Sequence, residues 1–354
     1  MQINAENIDK NFAVKATDII KEMKFYSFRD FDLHGVFYDK DESAFLRMDK
    51  SVASKISGGL AFLNGCTAGG RIRLRTNSRI FRIKVQMGRI FGTPFQSVRQ
   101  SVAFSLYADG RFYKLLMPDS SARIAEGEWF ESECAFDTEK CRDITLYFPS
   151  YGFIKDLQIG LSGGSWVLAP KPYNGKSVVF YGSSITQGSC ASRPGNDYCS
   201  MLSQMLGFDY LNLGFSGNAK AEDIMCDYIA SIDSSVFVYD YDYNAETAEE
   251  LKSRHEPFYL RLRERRPDLP IILLPKPNNE PNPEIFAQRK AVIRQTYDNA
   301  LRRGDKNVYF VDYNSLYKGK LANAHTVDGC HPNDFGFYLM AKEIYPCLKK
   351  ILQG

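Results

Sequence analysis

Two hydrophobic rhythms divide this chain. From about Phe25 to Trp166, apolar and polar residues alternate: Phe81, Ile83, Val85 and Met87 are interleaved with Arg82, Lys84 and Gln86, the period-two signature of a strand with one buried and one wet face. Ser101 to Tyr107 repeats the pattern through Val102, Phe104 and Leu106, and after Ala108-Asp109-Gly110 the segment Arg111 to Leu116 can return as the second strand of a hairpin. Ile144, Leu146 and Phe148 give another alternating strand. Many short strands and few helical patterns predict an antiparallel β-sandwich or jelly roll.

Ala169-Pro170-Lys171-Pro172-Tyr173-Asn174-Gly175 interrupts all periodicity, and the expected domains are therefore 1–170 and 171–354. Beyond it strands alternate with helices. Ser177 to Tyr181 has the length of a buried strand and breaks into Gly182-Ser183-Ser184. Asp197 caps a helix whose stripe is Tyr198, Met201, Leu202, Met205 and Leu206, with Gly207 as its stop. Strands at Asp209–Leu213, Ser235–Tyr241, Ile271–Leu274 and Val308–Val311 follow, separated by helical segments near 221–230, 247–265 and 283–304. The second of these is expected to break or kink at Pro257. Asn282-Pro283-Glu284 reads as a cap and first turn, and Asp334 starts the last helix. Five strands alternating with helices predict a parallel, three-layer α/β/α domain.

Composition narrows the class. With 354 residues, 44% hydrophobic and 25% charged, the chain is an ordinary globular protein long enough for two cores. A net charge of +3 does not point to nucleic acid, and the arginine clusters at 71, 73, 75 and at 261, 263, 265, 266 read as solvated faces. The eight cysteines form no C-x-x-C pair and read as reduced, mostly packed thiols. Met1 to Glu6 has neither a basic n-region nor an apolar h-region, and no run of about 18 apolar residues occurs. A cytoplasmic enzyme is expected, although a secreted chain trimmed of its signal would read the same way; no membrane partner is expected.

Parallel strands bring their C-terminal ends to one edge, where ligands collect. The polar blocks at these ends are Gly182-Ser183-Ser184, Gly214-Phe215-Ser216-Gly217-Asn218, Asp240-Tyr241-Asp242-Tyr243-Asn244 and Asp328-Gly329-Cys330-His331. A serine hydroxyl needs a base to become a nucleophile. Of the four histidines, His331 sits in a loop three residues after Asp328, so one turn can hold the acid at Nδ1 while Nε2 faces a serine. Backbone N–H groups at Ser184 and Gly217 and the amide of Asn244 can serve a developing oxyanion.

Ser184, Gly217, Asn244 and His331, in this order and with Asp328 before His331, resemble the four blocks of the SGNH (GDSL-like) hydrolase superfamily. The resemblance covers about Lys176 to the C-terminus. It implies a flavodoxin-like three-layer fold and metal-free, cofactor-free ester hydrolysis, with Ser184 as nucleophile, His331 as base, Asp328 as its partner, and Ser184, Gly217 and Asn244 around the oxyanion. A β-sandwich preceding such a domain is similar to the architecture of family 2 carbohydrate esterases, implying an O-deacetylase acting on small-molecule or oligosaccharide esters. Two departures stand out: Ser183 replaces the usual Asp, and Asp242-Tyr243-Asn244-Ala245 replaces Gly-x-Asn-Asp, placing an extra carboxylate beside an oxyanion donor.

Other readings use the same residues. His325, Asp328 and His331 at three-residue steps could gather round a metal, but Gly329 and Pro332 break the turn that would gather them. Cys330 as nucleophile lacks a second base. A glycan-binding module would stack sugars on Trp129, Trp166, Tyr151 or Phe153, and a lysophospholipase or lipase-type acylhydrolase would keep the Ser, His and Asp set but take long acyl chains.

Overall fold

The computed structural model describes residues 22–90, 92–93, 96–119, 124–277, 283–313, 316 and 322–354; the N-terminal reading at Met1–Glu6 and the Asn282 cap lie outside them. Within residues 23–168, two antiparallel sheets pack face to face, with a separate two-stranded hairpin of Phe37–Asp39 and Ala44–Leu46. One has the order Met23–Ser27, Gly152–Ser162, Ile80–Ile90, Trp129–Ala135. The other runs Val167–Leu168, Arg71–Thr76, Arg142–Tyr147, Phe104–Ala108, Arg111–Leu116, with Asp32–His34 also on Arg71–Thr76. The alternation seen in the sequence is what fills the space between them: Phe81, Ile83 and Val85 meet Ile72, Leu74, Leu106, Ile144 and Leu146, all buried. The hairpin turns on Asp109 (φ +51°) and Gly110 (φ +75°), the two left-handed positions that suit the twist of a two-residue connection. Ser101 differs from expectation. It belongs to a single helical turn, Arg99–Val102, and the strand begins at Phe104.

A helical pair interrupts the all-β half. Lys50–Ile56 is capped by Asp49, and Gly58–Asn64 by Ser57, whose side chain accepts the N–H of Leu60. Their buried residues Ala53, Leu60 and Leu63 do not join the sandwich core; they share a cluster with Val179, Tyr181, Leu213 and Met225 of the second half.

The parallel sheet has the order Tyr210–Gly214, Ser177–Gly182, Ser234–Asp240, Ile271–Leu273, Val308–Phe310. Helices Tyr198–Leu206 and Asp334–Gln353 cover one face through Tyr198, Leu202, Phe337, Met340 and Ile344. Asp223–Ser231, Ala248–Arg265 and Pro283–Arg302 cover the other, which gives the flavodoxin-like three-layer arrangement. The helix Ala248–Arg265 runs through Pro257 without the expected break. Its buried face, Leu251, His255, Phe258 and Leu262, is anchored on both sides of the proline, and that packing outweighs the missing backbone bond.

The two halves meet at a charge. Arg71, expected on a solvated face, is buried: its guanidinium pairs with Asp209, stacks on Tyr210 at 4.1 Å, and its Nε donates to the Tyr173 hydroxyl at 2.8 Å. His34 Nδ1 lies 3.2 Å from the other Asp209 oxygen. Asp209→Asn removes the counter-charge from a buried guanidinium and is expected to cost about 2 kcal/mol, reduced from the fully buried range because the Asp209 side chain is 29% exposed. A urea midpoint equal to that of the unsubstituted protein would contradict this role.

Candidate active site

The first parallel strand ends at Gly182, and the chain turns at once into a one-turn helix, Ser184–Gln187. Ser183 caps it: its hydroxyl accepts the Ile185 N–H at 3.1 Å, so the Ser-for-Asp departure keeps the same capping chemistry. Two glycines allow the turn to sit between its neighbours. A Cβ on Gly182 would lie 2.2 Å from Thr186 Oγ1, and one on Gly214 would lie 2.2 Å from the Gln187 nitrogen. The register pairs Gly182 with Gly214 on one side and with Asp240 on the other. Three polar strand ends are thereby brought together.

His331 arrives from far along the chain. Ser184 Oγ stands 2.9 Å from His331 Nε2, and His331 Nδ1 stands 2.7 Å from Asp328 Oδ2. Asp328 Oδ1 accepts the backbone N–H groups of Cys330 (2.9 Å) and His331 (2.7 Å). Partial burial pushes the Asp328 carboxyl up, but the His331 N–H, its ring and the Cys330 N–H together outweigh this and hold it below its ordinary value. The carboxylate is ionised and fixes the ring so that Nε2 is the nitrogen facing the serine. The other histidines lie elsewhere. His255 is buried, stacked on Tyr239 at 4.6 Å, and burial lowers it to about 3; His34 faces Asp209, and His325 packs edge-on against Phe335.

The expected oxyanion donors lie on the two strand ends flanking Ser184. Gly217 is exposed at φ +67°, a left-handed position open to the surface. The Asn244 amide donates one N–H to the Phe215 carbonyl at 3.1 Å, tying it to the turn that carries Gly217. Asp242 does not bring loose charge to this wall. Its side chain is 1% exposed, takes the Arg289 Nε at 2.7 Å and accepts the Lys276 N–H at 2.8 Å.

Sequence reasoning missed the layer beneath. Asp240 is fully buried and its Oδ2 accepts the hydroxyls of Thr186 (2.8 Å) and Tyr198 (2.9 Å), locking the underside of the serine turn. Burial raises its carboxyl to about 7. The β half also reaches the site: Gln100 Nε2 donates to the Gly188 carbonyl (2.6 Å) while its Oε1 accepts the Cys190 N–H (3.0 Å), and Gln96 Nε2 donates to Ser189 Oγ (2.8 Å). Gln187 accepts the Ser216 N–H at 3.0 Å. No spacing rule marks such glutamines, because they act across the two halves of the chain.

Among the described residues no group of three or more His, Cys, Asp or Glu side chains is placed to hold a metal ion, and no helix is long and apolar enough to cross a membrane. None of the eight cysteines, all among the described residues, takes part in a disulfide. Tyr151, considered above for sugar stacking, is buried and Phe153 packs on Phe62, whereas Trp129 and Trp166 are about 40% and 39% exposed.

Residues 175–349 match the model of the GDSL-like lipase/acylhydrolase family, and residues 23–167 match that of the N-terminus of Esterase SGNH hydro-type proteins. No curated protein matches the chain. A structure described as a GDSL-like lipase from Bacteroides ovatus is 27% identical, with 94% of this chain and 98% of that one covered at a TM-score of 0.83. The salicylyl-acyltransferase SsfX3 from a tetracycline biosynthetic pathway is 16% identical (93% and 97% covered, TM-score 0.73). A family two carbohydrate esterase from Clostridium thermocellum, in complex with cellohexaose, is 15% identical (93% and 99% covered, TM-score 0.62).

The raised Asp240 gives a signed pH effect. Between 3.8 and about 7 the folded chain binds more protons at this group than the unfolded chain does, so its contribution to stability is complete at the acid end and lost as pH rises through the window. Asp240→Asn keeps an acceptor for both hydroxyls and removes the ionisation. The melting temperature of Asp240→Asn minus that of the unsubstituted protein is expected to climb from pH 4 to pH 8; a difference independent of pH would contradict the assignment.

Proposed function

The chain belongs to the GDSL-like lipase/acylhydrolase family, and on that premise we propose that it is a metal-independent serine esterase that removes short acyl groups, acetyl above all, from carbohydrate hydroxyls. The observation that carries the proposal is the continuous hydrogen-bonded line from Ser184 through His331 to Asp328. In this reading Ser184 Oγ attacks the ester carbonyl while His331 Nε2 takes its proton, and ionised Asp328 stabilises the imidazolium that forms. The carbonyl oxygen becomes an anion facing the N–H groups of Ser184 and Gly217 and the free N–H of Asn244. The imidazolium then protonates the departing alcohol, and a water activated by the same ring releases the acid from Ser184.

The short-acyl preference is supported by the lack of any long apolar lid-like stretch beside the motif loops in the sequence. The carbohydrate preference is supported by the whole-chain likeness in fold to a family two carbohydrate esterase whose structure holds cellohexaose and by the two exposed tryptophans of the β half.

Turnover of p-nitrophenyl acetate by the unsubstituted protein and by Ser184→Ala tests the reaction. The variant is expected to lose at least ~10³-fold in kcat, and equal rates would overturn the proposal. Across acetate, butyrate and octanoate esters kcat/KM is expected to fall with chain length; a rise toward octanoate would favour the lipase-type reading. Release of acetate from acetylated xylo- and manno-oligosaccharides is expected to exceed release from simple alkyl acetates, and the reverse order would remove the carbohydrate part alone.

A further inference from the structure

The wall carrying Gly217 and Asn244 is held from behind by a cation from the N-terminal half. Arg47 is 1% exposed. Its Nη1 donates to the carbonyls of Asn212 (3.1 Å) and Gly214, and its Nη2 to that of Leu63 (2.6 Å). The guanidinium carbon lies over Phe215, 4.3 Å from the ring centre. Asn64 pins the segment in place by accepting the N–H groups of Arg47 (3.2 Å) and Met48 (2.9 Å) and donating to the Met48 carbonyl (2.8 Å).

No carboxylate pairs with this guanidinium among the described residues; its acceptors are backbone carbonyls, and its Nε has no partner. Burial lowers it only to about 10, so it stays protonated at neutral pH. A buried charge is normally paired, and Arg71 and Arg289 in this same chain have Asp209 and Asp242. Arg47 instead rests on the negative ends of peptide dipoles at the strand end that is registered against Gly182, two residues before Ser184.

What it touches is the hinge of the oxyanion wall. The Phe215 carbonyl accepts the N–H groups of Asn218 (2.9 Å) and Ala219 (3.2 Å) and the Asn244 amide (3.1 Å). Fixing Phe215 from below therefore fixes both the Gly217 turn and the Asn244 side chain.

We propose that Arg47 is a positioning residue for the oxyanion-binding wall, and that its unneutralised buried charge favours the tetrahedral anion over the neutral ester. The missing counter-charge then appears only when the reaction reaches its anionic stage, where a fixed cation in a water-poor interior acts most strongly. This assignment rests on the esterase reading above and makes the N-terminal half part of the catalytic apparatus.

Arg47→Met and Arg47→Lys, each checked for folding by circular dichroism, are assayed with p-nitrophenyl acetate and for inhibition by phenylboronic acid, whose serine adduct is a tetrahedral anion. In Arg47→Met, kcat is expected to fall about 100-fold, KM to stay within about twofold, and affinity for the boronic acid to fall by a factor comparable to that in kcat. Arg47→Lys, which keeps the charge and loses the fork, is expected to recover about tenfold of the lost rate.

A methionine variant with unchanged kcat, or one in which KM alone moves while boronic acid affinity holds, would overturn the assignment; so would a lysine variant no faster than the methionine one. Should Arg47→Met fail to fold, Arg47→Lys decides: kcat and boronic acid affinity falling together by several-fold at constant KM supports the proposal, and neither changing overturns it. An unsubstituted protein that hydrolyses no ester would remove the esterase reading and this assignment with it. Activity in the unsubstituted protein with equal kcat in Arg47→Met would remove this assignment alone.

Discussion

A hydrogen bond joining Ser184 to His331 spans 147 positions of sequence, and most of the second half of the chain is arranged so that it can form. A parallel sheet returns each crossover to the same edge, so strand ends far apart in sequence become neighbours. Gly182 and Gly214 let the serine turn settle between them where any Cβ would collide with backbone or with Thr186. Asp328 completes the arrangement locally, closing a three-residue turn that presents the ring of His331 in a single orientation.

The charged and titratable groups near this edge are each stabilised differently. Asp242 is paired with Arg289, which removes the repulsion its position in the motif suggested. Asp240 accepts from two hydroxyls, which favour its charged form, but full burial outweighs them and raises its carboxyl to about 7. Asp328 is held ionised by N–H groups, and Arg47 is held by carbonyl dipoles. Two of the four, Asp328 and Arg47, remain charged without a full counter-ion. In the proposed acyl transfer the first would steady the imidazolium and the second would favour the oxyanion.

Much of this was legible beforehand, for identifiable reasons. Period-two runs such as Phe81–Met87 and the stripe behind Asp197 are local signals, and local signals place strands and helices reliably. The serine turn was readable because it ends an apolar strand, the Gly217 turn because Gly and Asn follow a strand-like run, and the Asp328–His331 loop because Gly329 and Pro332 mark a turn around an acid and a histidine. The helical pair at 50–64 was not: Ser57-Gly58-Gly59 has the composition of a turn, whereas Ser57 is a cap and a Cβ on Gly59 would lie 2.1 Å from the Asn218 side chain. Arg47, Arg71, Gln96 and Gln100 were equally invisible, since their partners lie in the other half of the chain and nothing in their own neighbourhood sets them apart from surface residues.

The central claim is that Ser184, activated by His331, is the nucleophile. Treatment with a diethyl organophosphate followed by intact-mass and peptide mapping tests it most directly. The account predicts one covalent adduct, located on Ser184 and lost or greatly slowed in His331→Ala. An unlabelled chain, an adduct on a different residue, or labelling of Ser184 at an equal rate without the histidine would contradict it.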